Sequence, residues 1–117
     1  MTDKNQSVAW PAVLKHSGDD ELIYISSAEK WQDDTELHQA EYDQADVLID
    51  SAGAMFSLVN KQGDYTPPEF RDERMSLEEL LGLVKAHAAQ QGSCCVAKLY
   101  AATISDAFKI VKSLDEA

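Results

Sequence analysis

Residues 75–114 constrain the fold most strongly, because they carry two amphipathic helices with clear start signals. Ser76 followed by Glu79 is a capping box, in which each side chain binds the backbone N–H of the other at a helix N-terminus. Apolar residues then recur at helical spacing: Leu77, Leu80, Leu81, Val84 and Ala88. Gly92 supplies the left-handed conformation that commonly ends a helix. This pattern predicts a helix over residues 77–90.

A short apolar run and a second helix follow. The run Cys94–Tyr100 is too short for a helix and predicts a strand. Thr103 and Asp106 then mark a helix start. The apolar residues of this second helix again share one stripe: Ile104, Ala107, Phe108, Val111 and Leu114. Two such helices need a common apolar surface, which a sheet supplies.

Two β-hairpins are predicted before these helices. The first joins residues 8–16 to a strand over residues 21–26, and Pro11 confines its first segment to a sheet edge or to a strand that begins after that proline. The second joins residues 46–50 to residues 54–60 through Gly53. Ser27 caps a short helix between the hairpins.

The segment after the second hairpin is predicted to leave the sheet. Pro67 and Pro68 break any continuing strand, so the charged residues 69–74 are interpreted as a solvated approach to helix 77–90.

We therefore expect an α+β fold in one domain over residues 1–117, with a frayed tail at residues 1–7. The expected sheet is four- to five-stranded and mostly antiparallel, built from two hairpins plus a C-terminal strand, and covered on one face by the two C-terminal helices. The strand order does not follow from the sequence.

The formal charge of −11 is concentrated in the first half of the chain. Residues 1–60 hold 12 acids against three bases, whereas residues 61–117 hold nine against seven. Repulsion by phosphate disfavours nucleic acid and anionic membranes as partners and favours a basic protein. Acidity that serves only solubility is the alternative. The chain shows neither a secretory signal nor an apolar run near the roughly 20 residues of a membrane span, so we expect a cytoplasmic protein.

Residues 33–50 are the most acidic stretch, with seven acids and no lysine or arginine. Aromatic side chains beside such a stretch are typical of protein interfaces, and Trp31 and Tyr42 are expected to be partly exposed there. The candidate partner-binding residues are Trp31, Asp33, Asp34, Glu36, Tyr42, Asp43 and Asp46. In the alternative interpretation, Trp31 folds back over the edge of the sheet.

No pattern of catalytic or cofactor-binding residues is found. Asp34 and His38, with Glu36 or Glu41, could collect a divalent cation, but their spacing matches no known ligand motif, and a solvated acidic loop is favoured. We therefore predict no metal and no cofactor.

The adjacent cysteines have no recognisable site pattern either. Cys94 and Cys95 form no C-x-x-C motif, and a catalytic thiol would need an oriented base beyond the nearby His87. Cys95 is expected to be a small buried residue.

Three segments resemble a family of small uncharacterised proteins of marine gammaproteobacteria. They are the hairpin Pro11–Ile25, the stretch Asp46-Val47-Leu48-Ile49-Asp50-Ser51-Ala52-Gly53, and Cys94–Phe108. The resemblance implies a bacterial cytoplasmic protein, for which a saline habitat would explain the acidic surface. It transfers no activity, cofactor or site.

The leading hypothesis is a non-enzymatic interaction domain that binds a basic protein, as an immunity or inhibitor protein does. The second is a small-ligand-binding or hydrolytic domain with a site between the sheet and helix 77–90, near His87, Cys94 and Tyr100. The third is a structural homodimer formed through a sheet edge or face.

Overall fold

The computed structural model describes residues 7–34, 42, 45–58, 68–92 and 99–116. Within these ranges the elements in chain order are β1 Ala12–Lys15, β2 Leu22–Ile25, α1 Ala28–Asp33, β3 Val47–Asp50, β4 Ala54–Leu58, β5 Pro68–Arg74, α2 Leu77–Gln90 and α3 Ile104–Glu116. The strands form one antiparallel sheet in the order β2-β1-β3-β4-β5. The predicted α+β class and both predicted hairpins are confirmed.

The sheet places the first strands of the two hairpins side by side. β1 pairs antiparallel with β3, so that Ala12 lies opposite Asp50 and Lys15 opposite Val47. The residues just beyond this ladder are His16 after β1 and Asp46 before β3, and the register therefore brings them together at one end of the sheet.

Both long helices begin where their side chains predict, and α2 also ends where Gly92 predicts. In α2, the Ser76 hydroxyl accepts from the backbone N–H of Glu79 at 3.1 Å, and a Glu79 carboxylate oxygen accepts from the N–H of Ser76 at 3.2 Å. Gly92 follows this helix with a φ of +78°. In α3, the Thr103 hydroxyl accepts from the N–H of Asp106 at 3.1 Å. Each cap satisfies backbone groups that the helix itself leaves unpaired.

The helices α2 and α3 cover one face of the sheet and build its first core. The buried residues of this core alternate along the strands and recur along the helices, as one-sided packing requires: Val13, Leu22, Val47, Ile49, Leu80, Val84, Ala101, Ala107, Phe108 and Val111.

The opposite face of the sheet is also buried, which the sequence did not predict. Its core contains residues of the alternate strand positions and of α1: Ala12, Leu14, Ile25, Trp31, Leu48, Ala54, Phe56 and Leu58. Trp31 is only 1% exposed, and its ring lies 6.5 Å from that of Trp10. The central strands are consequently covered on both faces.

The interpretation of residues 69–74 as a solvated approach is wrong, because Pro68–Arg74 form β5 at the edge of the sheet. Pro68 begins this strand, and proline is tolerated at the first residue of an edge strand. Charged side chains are common on edge strands because they discourage pairing with another chain. Of the predicted strand Cys94–Tyr100, residues 94–98 lie outside the described residues, and residues 99 and 100 belong to no strand.

The turn between β3 and β4, residues 51–53, ties the sheet to the segments on either side. The carboxylate of Asp50 is fully buried and accepts the backbone N–H groups of Ala9, Ala52 and Ala54, each at 2.9 Å. Gly53 has a φ of +85°, and its carbonyl accepts from the N–H of Met75 at 2.7 Å. Asp50 and Gly53 are thus structural residues.

Candidate protein-interaction surface

Asp46 anchors the end of the sheet nearest the predicted acidic region. Its side chain is buried, and its Oδ1 accepts from the backbone N–H of Ser17 at 2.6 Å. The same oxygen lies 3.9 Å from Nδ1 of His16, within ion-pair range when that histidine is protonated. The carboxylate therefore fixes the turn between β1 and β2. The expectation that Asp46 contacts a partner directly is corrected, because the charge lies beneath the surface.

Arg71 of β5 reaches the same residue from the edge of the sheet. Its Nη2 donates to the backbone carbonyl of Asp46 at 3.1 Å, and its Nε donates to the hydroxyl of Ser57 at 2.7 Å. Sequence reasoning missed this role because it placed residues 69–74 outside the sheet. The guanidinium holds the edge strand against the end of β3.

Tyr42 lies over His16 at this end of the sheet. The two rings are stacked, with centroids 5.6 Å apart and planes inclined by 3°. Tyr42 is half-buried and also packs against the core that contains Trp31. The predicted partial exposure of Tyr42 agrees with its position, whereas its stacking partner could not be identified without the register of β1 and β3.

The phenol of Tyr42 lies in a negative electrostatic field. Burial, followed by the charges of Asp46 and Asp34, raises the pKa of Tyr42 to about 12. The hydroxyl consequently stays protonated across the physiological pH range and can donate a hydrogen bond. The two carboxylates that raise this pKa come from different segments, one at the end of α1 and one at the start of β3.

Asp33 and Asp34 lie at the C-terminal end of α1. Asp33 is exposed and Asp34 is half-buried as the C-cap residue. The C-terminus of a helix carries partial negative charge, so carboxylates are unfavourable there for helix stability. We define the acidic surface as Asp33, Asp34 and Tyr42, with Asp46 beneath it.

Trp31 is not part of this surface, and its predicted partial exposure is wrong. It is the large apolar residue of α1, whose other side chains are small, polar or charged, and that single residue turns into the core of the sheet's second face. The burial agrees with the alternative interpretation, in which Trp31 folds back over the edge of the sheet. The candidates Glu36 and Asp43 lie outside the described residues, as do His38 and Glu41.

His87, which the second hypothesis places beside a small-ligand site, has a structural role. The side chain is buried on α2, and its Nδ1 accepts from the backbone N–H of Leu22 in β2 at 3.0 Å. Burial lowers the pKa of His87, while the charges of Glu21 and Asp115 oppose this shift. An imidazole that accepts through Nδ1 must be neutral with its proton on Nε2. This hydrogen bond therefore holds the edge strand β2 against α2.

The other groups of that second hypothesis are dispersed. Tyr100 is 76% exposed, and Cys94 and Cys95 lie outside the described residues. Among the residues that the structure describes, no three His, Cys, Asp or Glu side chains are grouped so that they could hold a metal ion. Nor does any described helix have the length and apolar character needed to cross a membrane.

Comparison with known proteins agrees with this fold. The model of the DUF4144 family, described as a protein structure with unknown function, matches residues 10–111. The NMR structure of a protein from Shewanella amazonensis superposes with a TM-score of 0.67 at 27% sequence identity, over 94% of this chain and 92% of that one. No curated protein matches the chain. The predicted resemblance to a family of small uncharacterised proteins is confirmed.

Proposed function

The chain belongs to the DUF4144 family, whose function is unknown, and we propose that it is a non-enzymatic interaction module that binds a basic protein through the acidic surface. Asp34 and Asp46 converge on the half-buried Tyr42, and this arrangement is the observation that carries the proposal. An aromatic ring held by stacking loses little conformational freedom on binding, which favours its use as an anchor.

The charges around Tyr42 determine which kind of partner can bind there. Asp33 is exposed and Asp34 half-buried, and both lie where the helix terminus is already negative, so helix stability does not account for them. A lysine or arginine of a partner would meet the carboxylates of the acidic surface beside the exposed part of Tyr42, so that charge-assisted hydrogen bonds add to packing against that residue. The formal charge of −11 would further accelerate the encounter with a basic protein.

The Asp33→Asn/Asp34→Asn variant tests the proposal by affinity capture from a lysate of the organism that encodes the protein. The wild-type protein should retain a basic partner at low salt and release it near 1 M salt, where the Debye length falls to about 3 Å. The variant should bind that partner roughly tenfold more weakly, since each exposed ion pair contributes up to about 1 kcal/mol.

A matched control separates a local effect from a change in net charge. The Asp72→Asn/Glu73→Gln variant removes two charges from exposed residues of β5 and should leave capture unchanged. Equal loss of capture in both variants, or retention by the Asp33→Asn/Asp34→Asn variant, would contradict the proposal. Light scattering on the same samples would detect self-association of the chain as the competing explanation.

A further inference from the structure

A cleft of about 320 Å³ lies between α3 and one end of the sheet. This is the end farther from the acidic surface. Its lining residues come from the bend before β1, from β2, from the turn after β3 and from α3: Pro11, Tyr24, Ser51, Ser105, Phe108, Lys109 and Lys112. The volume falls at the lower end of the range of about 300–1,000 Å³ that is usual for small-molecule sites.

The helical wall of the cleft is a single stripe of α3. Ser105, Phe108, Lys109 and Lys112 are spaced i, i+3, i+4 and i+7, so they lie on one side of the helix. Phe108 is only 4% exposed and packs into the first core, so Ser105 and the two lysines form the polar part of this wall.

The wall on the sheet side is held in place by hydrogen bonds to a backbone carbonyl. The N–H and the hydroxyl of Ser51 both donate to the carbonyl of Ala9, at 3.0 and 2.7 Å. A Cβ placed on Gly53 would lie 3.0 Å from Cδ1 of Ile104, so the turn and the first residue of α3 are in close contact. The cleft is therefore formed before any ligand arrives.

The cleft is positively charged in a protein whose formal charge is −11. Two lysines line it and no carboxylate does. The neighbouring Asp50 has its two oxygens occupied by backbone N–H groups. Asp106 forms an ion pair with Lys109, with 3.7 Å between its Oδ1 and the lysine Nζ, and this contact offsets part of the charge of that lysine. Lys112 forms no ion pair with any part of the chain that the structure describes.

We propose that this cleft binds a small organic anion, with its carboxylate or phosphate between Lys109 and Lys112 and its apolar body against Phe108, Tyr24 and Pro11. The ammonium groups would bind the anion by charge-assisted hydrogen bonds. The rings would cover an aromatic or aliphatic body, as apolar walls with a few polar groups do in small-molecule sites. This inference does not depend on the proposed protein partner, because the acidic surface and the cleft share no residue.

Phenyl phosphate, phenylacetate, inorganic phosphate and phenol are suitable probes, titrated into ¹⁵N-labelled protein and followed by amide chemical shifts. Phenyl phosphate or phenylacetate should shift the amides of Ser51, Ser105 and Lys109, and should bind at least tenfold more tightly than either inorganic phosphate or phenol. The comparison with inorganic phosphate tests the apolar wall, and the comparison with phenol tests the lysines. Comparison of phenyl phosphate with phenylacetate identifies which acid group is preferred.

Lys112→Gln should weaken binding of the better probe at least fivefold. Lys85→Gln on α2 removes the same charge outside the cleft and should leave the affinity unchanged. The folding of each variant is verified by the same spectra. The inference would be overturned by absence of shifts at the cleft with every probe, by equal binding of inorganic phosphate and phenyl phosphate, or by equal losses in the two variants.

Discussion

Gly53→Ala is the substitution that most directly tests the packing at the turn between β3 and β4. A Cβ at this position would lie 2.8 Å from the carbonyl oxygen of Met75 and 3.0 Å from Cδ1 of Ile104. The first atom belongs to the backbone, so it cannot move without disturbing the bond from the Met75 N–H to the Gly53 carbonyl. The φ of +85° is a second obstacle to any residue with a Cβ.

The two costs can be separated with a matched variant. Gly18 has a φ of +78° and nothing within 4 Å of an added Cβ. Gly18→Ala should therefore lower the free energy of unfolding only by the cost of the left-handed conformation, about 1–2 kcal/mol. Gly53→Ala should lower it by the same amount and by a further amount of about 1–3 kcal/mol for overpacking.

Urea unfolding followed by far-ultraviolet circular dichroism measures both losses. The Gly53→Ala variant should unfold at the lower midpoint, with a free energy of unfolding below that of Gly18→Ala by about 1–3 kcal/mol. If the two variants agree within about 0.5 kcal/mol, the close approach of the turn to Met75 and Ile104 is refuted.

Three further predictions concern the other structural contacts. His87→Gln should reduce the dependence of the free energy of unfolding on pH. Because burial lowers the folded-state pKa of His87, the wild type loses stability as pH falls through the unfolded pKa of about 6.5. Urea unfolding at pH 7 and pH 5 should therefore show a larger loss of stability in the wild type than in the variant. Asp50→Asn should lower the free energy of unfolding in urea at pH 7 by about 2–3 kcal/mol, because the amide cannot accept all of the N–H groups that the carboxylate accepts. An unchanged free energy of unfolding would contradict this structural role of Asp50. Ser76→Ala should lower the free energy of unfolding by about 1 kcal/mol, whereas Ser76→Asp, which keeps a capping oxygen, should stay within about 0.5 kcal/mol of the wild type.

The elements that could be predicted from the sequence are those determined by local interactions. Helix 77–90 was predicted to the residue because Ser76, Glu79 and Gly92 are all close in sequence to the backbone groups they satisfy. The hairpin through Gly53 has a similarly local signal. The strand β5 was missed because edge strands tolerate charged residues and a proline at their first position, so its sequence resembles a loop.

The candidate site was harder to predict because it depends on pairing between distant strands. His16 and Asp46 meet only because β1 pairs with β3, an arrangement that neither hairpin specifies. The position of Trp31 was misjudged for a related reason. Its neighbours in α1 are polar, and the second apolar face of the sheet, which receives its ring, becomes apparent only when strands β1, β3 and β4 are assembled. Asp33, Asp34 and Tyr42 remain predicted contact residues.

Binding of a basic partner at the acidic surface can be measured by titrating ¹⁵N-labelled protein with the partner recovered at low salt and following the amide chemical shifts. The largest shifts should fall at Asp33, Asp34, Tyr42 and the adjacent His16, and they should diminish as salt is raised. Shifts centred on β5 or on the cleft beside α3, with the amides of the acidic surface unmoved, would contradict the proposal.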